Sequence, residues 1–98
     1  MNSSYELIKQ IDNYESFTSI SDEKLKQICI LIDKLAVDDT KISLLSIEVP
    51  KCLIFRLQFS YCSEICIDEQ EDLAVLADIS ELKIYCVDGE NIIIDVQI

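Results

Sequence analysis

The hydrophobic period of this chain changes once, near residue 40, and that change fixes the class of fold open to it. Before it, apolar residues recur at helical spacing; after it, they mostly alternate with period two. A chain of helices followed by alternating strands has to lay its helices on one face of a sheet. We therefore expect an α+β fold, with two N-terminal helices on one face of a mainly antiparallel, four- to five-stranded sheet.

The helical half reads in two pieces. Ser3 and Glu6 have capping-box spacing, and Leu7, Ile8, Ile11 and Tyr14 follow on one face, which predicts a first helix over about 4–14. Ser21 is a good N-cap for a second, with Asp22 and Glu23 at the positive end of its dipole. Ile20 and Leu25 occupy the staple positions, and Leu25, Ile28, Cys29, Ile32, Leu35 and Ala36 form a wide apolar stripe. Asp38-Asp39 ends that helix. Ile30 and Leu31 fall outside the stripe.

Beyond Lys41, residues 42–49 are rich in β-branched and aliphatic types, with Leu45, Ile47 and Val49 on one face, and Pro50-Lys51 is a break. Residues 52–61 put Leu53, Phe55, Leu57, Phe59 and Tyr61 on one side and Arg56, Gln58 and Ser60 on the other. A further strand is a candidate at 63–67, and Glu69–Asp78 reads as a short helix with Leu73, Leu76 and Ala77 inward. Leu82–Val87 and Ile92–Ile98 flank Asp88-Gly89-Glu90-Asn91, a strong hairpin signal. The expected order is α-α-β-β-(β)-α-β-β. Cys52, Ile54 and Ile93 then fall on the face of the sheet that should meet water, which leaves a homodimer or partner surface as an open alternative to simple cover by loops.

Ninety-eight residues make one domain's worth of chain, so 1–98 is read as a single domain. Half of them are hydrophobic, and Ile alone occurs seventeen times, enough to offset the entropy of ordering. No uninterrupted apolar run exceeds five residues, and the start of the chain has no basic, apolar leader pattern. A cytoplasmic protein is the expectation. Five cysteines without C-x-x-C spacing, in a chain with no His, are read as core thiols, with no metal or cofactor expected.

Catalytic signals are sparse. Without His the commonest general base is missing, and a single Gly cannot build a phosphate loop. Glu81-Leu82-Lys83, with Asp68 or Asp72 upstream, loosely resembles the acid–x–Lys core of metal-dependent nucleases. A net charge of −11 would repel the phosphates of such a substrate. We expect no enzyme, no direct binding of nucleic acid and no membrane partner.

The charge distribution is the informative feature. Residues 1–41 hold five Lys against eight acids, whereas residues 42–98 hold three basic residues against eleven. Between 62 and 95 there are ten acids, opposed by Lys83 alone. A field of one sign steers partners of the other. The expected site is therefore a partner-binding one, formed by Asp68, Glu69, Glu71 and Asp72 at a helix start with Asp88 and Glu90 from the hairpin. Its expected partner is a basic protein, such as a nuclease toxin or a nucleic-acid-binding effector, held by an immunity, antitoxin or anti-defence type of inhibitor. The alternative is a small acidic export-type chaperone that dimerises and binds an extended client. The element order from the second helix onward is similar to that family's, apart from its closing helix.

Overall fold

A computed structural model describes residues 4–36, 40–59, 67–87 and 91–98. The first helix, α1, spans Ser4–Lys9, followed by a single 3₁₀ turn at Tyr14–Ser16 and by α2 at Asp22–Leu35. Two strands follow, β1 at Lys41–Glu48 and β2 at Lys51–Phe59, then α3 at Ile67–Ile79, β3 at Glu81–Val87 and β4 at Asn91–Gln97. The strands form one antiparallel sheet in the order β1-β2-β4-β3. The fold is thus α+β, with four strands among the described residues.

α2 follows its sequence closely. The Ser21 hydroxyl accepts from the Lys24 amide at 3.2 Å, which satisfies one of the free N–H groups at the helix start. Leu25, Ile28, Cys29, Ile32 and Leu35 are all buried. They meet Phe55, Leu57, Phe59, Ile94 and Val96 from the sheet in one core cluster, joined by Ile8 of α1 and Leu76 of α3. Leu31 packs at the edge of that cluster, while Ile30 is left exposed.

α1 is shorter than its apolar spacing predicts. The Ile11 amide reaches back to the Ile8 carbonyl at 3.0 Å, a tightened last turn, and Asn13 then takes a left-handed conformation (φ 57°). Asn is among the few residues that tolerate that region, and here it precedes the 3₁₀ turn, so the helix does not resume where the apolar pattern would continue it. A six-residue helix has little stability of its own. Ser4 fastens it: its amide donates to Asp33 Oδ1 at 3.0 Å and its buried hydroxyl to the Cys29 carbonyl at 3.1 Å, both on α2.

Leu45 and Ile47 do share one face, paired with Ile54 and Cys52, and it lies opposite Ile42 and Leu44, which pack against the core. Two other expectations are corrected. Val49 is in the turn before Pro50 and 89% exposed, not on the strand. On α3 the inward residues are Leu73, Leu76 and Ile79, and Ala77 is exposed, because a turn of 3.6 residues brings 73, 76 and 79 to one side. Ile67 opens α3, and the rest of the candidate strand at 63–67 is outside the described residues, as are Asp38-Asp39 and Tyr61. Among the described residues, no helix is long and apolar enough to cross a membrane.

Cys29 and Cys52 are buried free thiols. Burial pushes the Cys29 thiol up to about 11 from an ordinary 9.0, since the thiolate would lose its hydration. The folded chain therefore holds this proton more tightly than the unfolded one. The corresponding stability is complete below pH 9.0 and is lost as pH rises through the folded value of about 11. Urea melts at the two ends of that window should show wild type losing on the order of 2 kcal/mol more than Cys29→Ala. Equal losses would mean that the thiol is not desolvated. Denatured, unreduced protein should titrate five thiols.

Candidate functional site

The expected acidic site is only partly assembled by the described residues. Asp68, Glu69, Glu71 and Asp72 all fall in the first half of α3, two residues of which precede the expected helix start. Glu71 is exposed and Asp72 half-buried. The side chains of Asp68 and Glu69, and the whole of Asp88 and Glu90, are outside the described residues. Among the described residues, neither Glu71 nor Asp78 further along α3 has a cationic partner.

A second surface emerges from the sheet register. Helices α1, α2 and α3 contribute to the core on the face carrying Phe55, Leu57, Ile94 and Val96. Pleating sends alternate residues the other way, onto a face that no described helix covers. Three rows cross it: Leu45, Ile54, Gln97 and Glu81; Ser43, Arg56, Asp95 and Lys83; and Lys41, Gln58, Ile93 and Tyr85. Ile47 and Cys52 continue it at one end. Leu45, Ile47, Ile54 and Ile93 are half-buried, Tyr85 is 42% exposed, and Cys52 is nearly covered. Cys52 shares a groove with Phe17 and Ile20, so the α1–α2 connection lies against that end of the sheet.

Arg56 and Asp95 form the middle of the central row. The guanidinium Nε donates to Asp95 Oδ1 and an Nη to Oδ2, each at 2.9 Å, a bidentate pair between directly opposed residues. Asp95 holds the guanidinium above its ordinary pKa, so Arg56 stays charged at any accessible pH. Around the pair is a hollow of about 240 Å³, walled by Ile54, Glu81, Lys83, Tyr85 and Gln97. Sequence reasoning passed over this pair. Its signal is Asp95 itself, a lone carboxylate in the run Ile92-Ile93-Ile94-Asp95-Val96, which needs a cation beside it to be buried.

No family model, curated protein or solved structure matches this chain.

The nuclease-like triplet can be placed on this geometry. Glu81 and Lys83 do share the open face, but Asp72 belongs to α3, in the helical layer. Asp95 lines the same hollow, with both carboxylate oxygens engaged by Arg56. Among the described residues no three Cys, Asp or Glu side chains converge as a metal-holding group.

A second charged cluster ties α1 to α2. Lys9 Nζ lies 5.1 Å from the ring centroids of both Tyr5 and Tyr14 and donates to the Tyr14 hydroxyl at 3.3 Å. Tyr5 donates to Asp22 Oδ1 at 2.9 Å, and Lys26 pairs with Asp22 at 3.3 Å. The Tyr5 hydroxyl and, after it, Lys26 hold the Asp22 carboxyl below its ordinary value. This network joins helix to helix at the surface.

Proposed function

We propose that this protein works by binding a basic partner protein and blocking it, as immunity, antitoxin or anti-defence inhibitors do, and that it is not an enzyme. The observation that carries the reading is the one-signed stretch from 62 to 95, with ten acids against Lys83. Two features support it further. Lys83 belongs to the open sheet face and is therefore not placed to neutralise α3. Glu71 and Asp78 on α3 are exposed acids, and exposed charge is what steers a diffusing partner.

The test starts from the protein that co-purifies with the tagged chain from its source cells. Asp72 is half-buried and is left alone, so the variant combines Glu71→Lys with Asp78→Lys, both exposed. Its melting temperature should barely move, because exposed charges contribute little individually. Association with the partner should slow more than ~10-fold at low salt, and the deficit should shrink as salt rises. A folded double variant that associates at the wild-type rate would rule out electrostatic inhibition through α3. The export-type chaperone is the second reading, favoured by the partly apolar open face. Holding an apolar client there would leave association nearly independent of salt.

A further inference from the structure

We propose that the open face of the sheet is where two copies of this chain meet, sheet against sheet, about a two-fold axis. This goes beyond the proposed inhibitor function and does not depend on it. On the open face the described rows carry Lys41, Arg56 and Lys83 against Glu81 and Asp95, a net of +1. The whole chain carries −11, so everything outside these rows carries −12, from −11 minus +1. That excess sets one copy against another on average. A basic partner is likewise drawn away from this face, towards the acids elsewhere. This face also carries apolar side chains, from Leu45, Ile47, Ile54 and Ile93, all half-buried.

The centre of the middle row is also complementary to itself. With the two-fold axis running along the strands between β2 and β4, each row faces its own reverse. Arg56 then lies over the partner's Asp95 and Asp95 over the partner's Arg56, which makes a square of alternating charges. Tyr85 lies over the partner's Lys41, in the sense that favours a cation on an aromatic ring. Aligned packing of two sheets with ordinary twist accommodates this arrangement. Four strands about 4.8 Å apart and about seven residues long make a flat footprint of roughly 450 Å² per copy. Doubled, and with the relief of side chains added, that reaches the roughly 1,000 Å² a specific interface needs.

Sedimentation equilibrium on the full chain tests this directly. Wild type should sediment at twice the chain mass of 11.2 kDa. Ile54→Lys places one new cation per copy at the interface, and hence two per dimer, so it should raise the dimer Kd more than ~100-fold. Tyr85→Lys, at a more exposed position, sets one cation over the partner's Lys41, so it should act in the same direction and keeps the test decisive if Ile54→Lys fails to fold. Circular dichroism establishes that each variant is folded. A wild type that stays at 11.2 kDa up to roughly 100 µM, far above the Kd of a specific interface, overturns the proposal. So does a dimer that survives both substitutions, or growth into larger oligomers, which a closed two-fold contact does not permit. None of these outcomes bears on the charge reversal of α3, so the two readings fail separately.

Discussion

Phe55→Ala is expected to destabilise the fold by ~3–5 kcal/mol, through lost transfer energy and the cavity left behind. Phe55 is the largest of the fully buried side chains and stands in the middle of β2, opposite Leu44 on one side and Val96 on the other. Both neighbouring strands therefore line the hole, and neither can close it without leaving its own pairing. Against a total stability of ~5–15 kcal/mol, the variant should melt far below wild type and unfold at much lower urea. A melt within a degree or two of wild type would mean that the ring is not at the centre of the sheet–helix interface.

Ile32→Ala should cost ~2–4 kcal/mol by the same mechanism applied to the other layer. Ile32 is the fully buried residue of the α2 stripe one turn before its end, and its carbonyl accepts the Ala36 amide that closes the helix. Ala keeps the helix propensity high, so the loss reports packing and not backbone preference. Thermal melts of the single variants and the Phe55→Ala, Ile32→Ala double variant extend the test. Two side chains in one cluster should be non-additive, since the second truncation enters a core already loosened by the first.

What was legible in the chain follows from how each element earns its stability. α2 was read almost to the residue because its cap, staple and stripe are local features that all agree. β2 was legible because Leu53 to Phe59 alternate without interruption. β1 was harder. Ile42, Leu44, Leu45 and Ile47 put apolar side chains on both faces, and alternation cannot tell which face meets the helices when both are partly covered. Apolar spacing outlasts α1, and Asn13 in the left-handed region keeps the helix from resuming. The acidic residues of α3 were visible as a charge run. The Arg56–Asp95 pair was not, because it joins residues 39 apart in sequence and only the β2–β4 register brings them opposite.

That register has a consequence for the order in which the chain becomes itself. β4 is the last of the four strands in chain order, yet it occupies an inner place, between β2 and β3. As the chain leaves the ribosome, β1 and β2 have already paired through a short connection, and β2 shows a bare row of backbone donors and acceptors along its other side. β3 does not fill that gap; among the described strands its partner is β4. Until β4 arrives, the nascent protein is a hairpin with helices and an orphan strand, offering an open edge to any extended neighbour. The final strand is a keystone, and the interval before it is set is when this chain is most exposed to misassembly.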